Sequence, residues 1–438
     1  MSADLLKYAE QAVEAARKAG ADDVWATSSQ GRDVEFEYRD GKLEKVKDAT
    51  SRNLSIKLYV DGRYSTHSIN DLREQQIKTF IAEAVAITRA LQPDEYRKIT
   101  SPELFQGQSA KDLQLVDAQL KHLDRDQRLT WCKELDALTH TDKRLISATC
   151  GVYDGSASSA SASSNGFSGT KESTYLWMGT QLTFKDQGDK RASSYFYAGG
   201  AQRADLPSQK QIAEVALQRV RDRLGATKGP TVRTTMVVDP SVAGSLISRL
   251  LKPATARAFQ QGQSFWTDYQ GSKPFSDKLT IVDDPLLLRG MGSRRYDAEG
   301  IAAKPLTLVE NGVVRNIYVD TYYGRKLKMQ PTTGSSSNVI IKPGRQSLAE
   351  LIKAAGEGIY VTSWLGGNAD NTTGEFSLGL RGHLIENGSI GAPVGEMNVT
   401  GDLETLFASL VEVGNDPWLY STTRSPTLVF EKVHFSGA

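Results

Sequence analysis

Cysteine and histidine are scarce: the 438 residues hold two cysteines and five histidines. Two cysteines, Cys132 and Cys150, exclude a disulfide scaffold and a cysteine-rich metal site. Charge of one sign is lacking too, since 53 Lys and Arg stand against 52 Asp and Glu. A net charge of +1 supplies no general attraction for nucleic acid or an anionic membrane. No stretch reaches the ~18 apolar residues of a membrane span. The opening segment Met1–Gly20 is charged throughout and has no apolar run, so the expectation is no signal peptide and a cytoplasmic protein.

What the chain does have is enough apolar residues, 39%, to bury a core. Leu5, Leu6, Ala9, Val13 and Ala16 share one face of a first helix, followed by Gly20 as a cap. Val34, Phe36 and Tyr38 alternate, as do Leu54, Ile56, Leu58 and Val60, with turn pairs at Asp40-Gly41 and Asp61-Gly62. A helix follows over 71–91, another over 110–140, strands near 145–152, 173–184 and 192–198, and a helix over 208–224. The Ser/Ala segment 155–166 (GSASSASASSNG) reads as a flexible surface loop, or as a loop that orders against a partner. GATKGP, 225–230, marks the boundary between domains 1–227 and 228–438.

The second half opens on a buried strand, Val232–Val238, ending at Asp239-Pro240. A helix starts near Val242 and is interrupted at Pro253. Turn pairs at Asn311-Gly312, Gly366-Gly367 and Asn387-Gly388 point to a large antiparallel sheet. Short helices are expected at 347–355 and 403–410. The fold class is therefore α+β: an N-terminal helix and antiparallel-sheet domain, then a mainly antiparallel-β, partly barrel-like C-terminal domain.

The search for chemistry is less productive. None of the five histidines is followed by Glu, and none forms a helical pair. Both cysteines read as small buried hydrophobes without an activating base. The Arg289–Arg295 run, rich in Gly and Arg, could hold an anion, but its context favours a structural turn. The polar run Thr332–Asn338 could bond a peptide backbone, or form a long hairpin loop. Trp364 beside Gly366-Gly367 could line a groove or pack in the core. By themselves the residues define no catalytic constellation.

Several segments are more specific. Leu279-Thr280-Ile281-Val282-Asp283-Asp284-Pro285 precedes Tyr296-Asp297-Ala298-Glu299-Gly300, then Leu308-Val309-Glu310-Asn311-Gly312 and Asp320-Thr321-Tyr322. Gly358-Ile359-Tyr360-Val361-Thr362, Thr373-Gly374-Glu375-Phe376-Ser377, Val413-Gly414-Asn415-Asp416 and Ser425-Pro426-Thr427 follow in order. In the first half, Asp40-Gly41-Lys42-Leu43-Glu44 and Asp61-Gly62-Arg63 fit as well. Over nearly the whole chain this resembles the TldD/PmbA (TldE) family, also called modulators of DNA gyrase.

The resemblance implies two kinds of subunit. TldD-like chains carry His-Glu-x-x-x-His on the helix after the strand ending in Asp-Pro, and a cysteine near the C-terminus, which together bind a catalytic zinc. PmbA/TldE-like chains lack both and pair with a TldD-like chain in a heterodimeric peptidase that trims leader peptides or degrades unfolded peptides. Here Val242–Gly262 contains neither His nor Glu, and the stretch after Asp416 contains no cysteine. The expectation is a metal-free subunit: no catalytic or metal residues in this chain, and zinc in a TldD-like partner. Peptide- or partner-binding residues are expected among Thr332, Thr333, Ser337, Asn338, Trp364 and Asn368. A homodimer of the chain alone is left open, and no nucleic-acid or membrane partner is expected. Two other readings stay open: a regulatory module acting on gyrase or a toxin–antitoxin pair without proteolysis, and a stand-alone peptide-tailoring enzyme.

Overall fold

The computed structural model describes residues 2–437. The first half runs α1 (Ser2–Lys18), β1 (Asp23–Arg39), β2 (Lys42–Val60), β3 (Arg63–Ile69), α2 (Glu74–Arg89) and α3 (Arg125–Thr139), then β4 (Leu145–Ser163), β5 (Ser168–Lys185), β6 (Arg191–Gly200) and α4 (Gln209–Arg221). Its six strands form one antiparallel sheet in the order β3-β2-β1-β4-β5-β6.

Side chains alternate between the faces of a strand, so parity assigns them. Even-numbered residues of β1 and β4 face the helices. Val24, Ala26 and Ala162 pack with α1 and α2. Val34, Phe36, Ala148, Cys150 and Val152 pack with α3 and α4. The four helices thus cover one face, a pair at each end of the long strands. Odd-numbered residues point the other way, and Trp25 on that face clusters with Phe167 and with Tyr296, the latter from the second half.

The Ser/Ala segment is not a loop. Residues 155–163 are the second half of β4, paired with β1 on one side and β5 on the other, and 164–166 make the turn into β5. Small side chains are what its place requires. Ala160 and Ala162 are buried, and so are Ala9, Ala12 and Ala16 on the facing side of α1, which lets helix and sheet approach closely. Composition alone reads such a run as flexible because it registers polarity and not pairing. The helix expected over 110–140 is also shorter. Residues 110–117 form no regular element, Asp112 and Asp117 bond the backbone two residues on, and Asp124 caps α3 by accepting from Gln127 N at 2.7 Å.

The second half adds β7 (Thr227–Lys228), β8 (Val232–Val238), α5 (Pro240–Leu251), α6 (Ala256–Gln260), β9 (Ile281–Asp283), β10 (Leu306–Glu310), β11 (Val313–Val314), α7 (Thr321–Leu327) and β12 (Val339–Ile341). After these come α8 (Leu348–Ala355), β13 (Gly358–Ala369), β14 (Glu375–Glu386), β15 (Ser389–Asp402), α9 (Leu403–Ala408), β16 (Leu410–Val413), β17 (Thr423–Arg424) and β18 (Leu428–Ser436). The sheet β16-β18-β8-β13-β14-β15-β7 closes on itself, because β18 also pairs with β15. Strands β18, β8, β13, β14 and β15 therefore make a five-strand barrel around Met236, Val238, Leu378, Leu380 and Phe430. A smaller sheet, β11-β10-β9-β12-β17, packs into the same core.

Four Asx-Gly pairs turn the hairpins. Asp40-Gly41, Asp61-Gly62, Asn311-Gly312 and Asn387-Gly388 all have positive φ at both positions, as the tight turn demands. Gly366-Gly367 differs. These residues lie inside β13, where the pairing with β14 slips by a residue, so they form an irregular strand and not a turn. A Cβ on Gly367 would stand 2.0 Å from the Ser377 carbonyl, so the close strand approach needs glycine.

Candidate functional site

Strand β8 delivers its chain to the barrel rim, where Asp239 stops the strand and starts α5. The Asp239 carboxylate accepts from Ser241 N at 2.9 Å and from the Tyr360 hydroxyl, and Pro240 occupies the first helical position. Burial and the Asp239 charge hold the Tyr360 phenol well above its ordinary range. Helix α5 buries Ala243, Leu246, Ile247 and Leu250. Its polar side chains are Ser241, Ser245, Ser248 and Arg249, and Arg249 donates to the Ser245 carbonyl at 3.0 Å. Trp364 on β13 donates to the Val242 carbonyl at 3.1 Å, pinning the first turn.

This helix start forms one wall of a cleft of about 640 Å³ between the two halves of the chain. The opposite wall is the edge of the long sheet and the end of α4. Trp177, Tyr195 and Tyr197 carry odd numbers on β5 and β6, so they fall on the face away from the helices. Arg219 lies 5.3 Å from the Phe196 ring centroid and 5.5 Å from that of Trp418. Trp418 and Tyr420 stand edge-on to Phe196 and to each other. Arg223 donates to the Ser193 carbonyl, and burial, followed by the like charge of Arg381, lowers its guanidinium to about 10. His383 closes the floor, its Nε2 2.8 Å from the Asp222 carbonyl oxygen.

A second cleft, of about 950 Å³, runs along the same sheet face farther on, lined by Lys171, Thr174 and Arg294–Tyr296 among others. The Arg289–Arg295 run lies here as a structural turn. Arg289 pairs with Asp205 at 2.8 Å and bonds Gln114, Arg294 donates to the Ser335 and Ser336 carbonyls, and Arg295 donates to the Lys111 carbonyl.

The six residues expected to meet a peptide or partner fall in three places. Thr332 bridges the Ile317 carbonyl and Val319 N, and Thr333 donates to Asp297 at 3.1 Å. Ser337 donates to Asp283 through both its amide and its hydroxyl. Buried Asn338 donates to the Asp284 carbonyl at 2.8 Å and accepts from Gly292 N at 2.9 Å. These four therefore brace one loop assembly against its neighbours. Trp364 packs against the barrel core. Asn368 is exposed beside Asp370 and Glu375 at another opening. The aromatic and arginine residues of the first cleft escaped the sequence reading. The sequence signal was present as Arg219-x-Arg221-x-Arg223 at the end of a helix, but only the fold brings Trp418 and His383 to it.

Among the described residues, no three His, Cys, Asp or Glu side chains gather as a metal site. Both thiols are buried and pushed up to about 12 by that burial, within the first half's core. The donor set at α5 is three hydroxyls and a guanidinium, which does not fit a zinc ion. Among the described residues no helix is long and apolar enough to cross a membrane.

A long helix-backed sheet joined to a small barrel, with a cleft between them, is a metallopeptidase-type architecture by its matches. Three family models match: PmbA/TldA metallopeptidase domain 1 at residues 28–88, the central domain at 119–224 and the C-terminal domain at 231–437. A modulator of DNA gyrase from Bacteroides thetaiotaomicron, known as a crystal structure, is 37% identical, with TM-score 0.95 over 99% of this chain and 98% of that one. A metalloprotease PmbA homolog of Haemophilus influenzae is 28% identical over 100% of this chain and 98% of its own length. TldE from Thermococcus kodakarensis shares the fold at TM-score 0.87 and 19% identity, over 98% of this chain and 100% of that one. The chain belongs to the PmbA/TldD family.

Proposed function

We propose that this chain is the metal-free, TldE-like subunit of a heterodimeric peptidase that works in the cytoplasm on leader or unfolded peptides. Its partner is a TldD-like chain that carries the zinc. The observation that supports this reading is helix α5, which presents Ser241, Ser245, Ser248 and Arg249 where the zinc-binding chains of the family place His-Glu-x-x-x-His. This chain's own part is to enclose, exclude water and hold an extended peptide by its backbone. Partner contact is assigned to the exposed stretch of β13 from Leu365 to Asn368, where Leu365 stands 47% exposed.

Co-expression with the His-Glu-x-x-x-His chain of the same genome tests this. The two chains are expected to co-purify, zinc to follow the partner, and cleavage of an unstructured peptide to require both. A partner that is fully active alone and never binds this chain sinks the proposal.

A further inference from the structure

One amine in the second cleft has no polar partner. Lys171 carries an odd number on β5, so it points away from the helices, as Trp177 does. Its cross-strand neighbour on that face is Ser159 of β4, which in turn stands opposite Ser29 of β1. Gly169 and Ser173 flank it along its own strand. None of these neighbours offers a carboxylate. Among the described residues the Lys171 ammonium has no hydrogen-bond acceptor and no ion pair. The Ser/Ala run of β4 therefore has two uses: Ala160 and Ala162 admit α1 on one face, and short Ser159 leaves room beside Lys171 on the other.

The one contact of the ammonium is with a fixed ring. Its Nζ lies 4.2 Å from the Tyr296 ring centroid. Tyr296 is 3% exposed and stands edge-on to Phe167 at 4.9 Å. A Cβ on Gly169 would come within 2.8 Å of the Tyr296 ring, so glycine there lets the ring lie against the strand next to Lys171. The charges around the amine are committed elsewhere or of the same sign. Arg294 donates to the Ser335 and Ser336 carbonyls, and Arg295 to that of Lys111. Asp297 accepts from Glu299, Ile301, Thr333 and Gly334. Glu172 faces Lys121 at 3.6 Å, and Asp112 accepts from Gln114 N. A lysine desolvated beside another cation is the arrangement that frees an amine of its proton near neutral pH; burial, followed by the charge of Arg294, lowers this one to about 8. The amine opens on about 950 Å³ of cleft, whose lining includes Leu115, Val116 and Met291 beside Tyr296. That is space for a small, mainly apolar molecule.

We propose that Lys171 is a covalent site for a small aryl aldehyde held in this cleft. The free amine of Lys171 attacks the carbonyl carbon. The C–O bond then breaks, the oxygen leaves as water with the two amine hydrogens, and a C=N bond joins Lys171 to the ligand. The step is reversible and needs no oxidant or reductant. The aryl group matches the apolar lining and the Tyr296 ring. A lysine kept only to rest on Tyr296 would be no better a nucleophile than lysines on the surface. The inference does not depend on the heterodimer, because this chain alone builds the cleft.

The test treats the full chain with benzaldehyde and cyanoborohydride, which reduces each imine to a stable benzylamine, and maps the products by mass spectrometry. At about pH 7.5 Lys171 is expected to be benzylated about tenfold or more faster than any other lysine, since its free-amine fraction is larger. Its rate should level off as benzaldehyde fills the cleft, and should rise with pH to a midpoint near 8. The advantage should vanish in the urea-unfolded chain and fall severalfold with acetaldehyde, which has no ring for the cleft. Lys171→Met should lose this label, with the same circular dichroism and unchanged labelling of the other lysines. Benzylation of Lys171 at the rate of the other lysines overturns the proposal, and so does an advantage that survives unfolding. A rate that stays linear in benzaldehyde, or an equal advantage with acetaldehyde, overturns it too, because the cleft would then hold no aryl ligand. Co-purification with a metallopeptidase is a separate measurement, so either reading can fall without the other.

Discussion

The two clefts along the sheet differ in what their cations do. In the second, Arg289 meets Asp205, and Arg294 and Arg295 donate to main-chain carbonyls, so these guanidinium groups hold segments of the two halves in place. In the first, Arg219 rests on rings and donates to the Tyr195 carbonyl at 3.4 Å, and Arg223 donates to the Ser193 carbonyl with Arg381 as a like-charged neighbour. The second region includes an ion pair, Arg289 with Asp205, whereas Arg219, Arg223 and Arg381 of the first have no carboxylate partner among the described residues. The difference shows that arginine clustering by itself says little. What distinguishes a site is whether the charge already has its partners. Lys171 blurs the comparison, since it lies in the second cleft with its ammonium 4.2 Å from the Tyr296 ring centroid.

The largest effect is expected on the scaffold side. Asp283 is 1% exposed and accepts both the amide and the hydroxyl of Ser337, which fixes the loop that carries Asn338. Asp283→Ala leaves those two buried donors without an acceptor and should destabilise the chain by about 3 kcal/mol or more in urea unfolding. A normal midpoint would show that Asp283 does not brace this loop.

Lys171 gives a smaller, pH-dependent effect. Burial, followed by the charge of Arg294, lowers its ammonium to about 8 from an ordinary value of 10.5. Between those values the unfolded chain holds the proton and the folded chain does not, so the contribution of Lys171 to stability rises with pH across that window. Below about pH 8 both states are charged and the folded state bears the full cost of burying the ammonium. Lys171→Met should therefore be more stable than the parent at pH 7, with the gap closing as pH approaches 10. Denaturant midpoints at four pH values measure this. A constant gap would mean that Lys171 titrates normally and is exposed to water.

How much of this was legible beforehand varies with the physics involved. Strand alternation at Leu54–Val60 and the four Asx-Gly turns are local rules, and they stand. The break at Pro253 between α5 and α6 stands for the same reason. Ser/Ala strand β4 was not legible, because its stability comes from β1, β5 and the alanine face of α1, all remote in sequence. Gly366-Gly367 looked like a turn because glycine marks both turns and close strand approach. At the first cleft the contributing residues span Trp177 to Tyr420, so no local motif could announce it.

The smallest stability change is expected at Arg223, and that smallness is what separates the clefts. The side chain makes a single bond, to the Ser193 carbonyl, and lies half-buried near Arg381. Glutamine keeps a donor for that carbonyl, removes the buried charge and relieves the like-charge contact. The lost hydrogen bond strength and the regained solvation oppose each other, so Arg223→Gln should move stability by no more than about 0.5 kcal/mol in either direction. A residue that contributes little to folding while keeping an unpaired charge out of water fits the usual trade between stability and function. Urea unfolding of Arg223→Gln beside Asp283→Ala reads the comparison directly. A loss at Arg223 as large as that at Asp283 would make the first cleft a scaffold like the second, and its open cations would need another explanation.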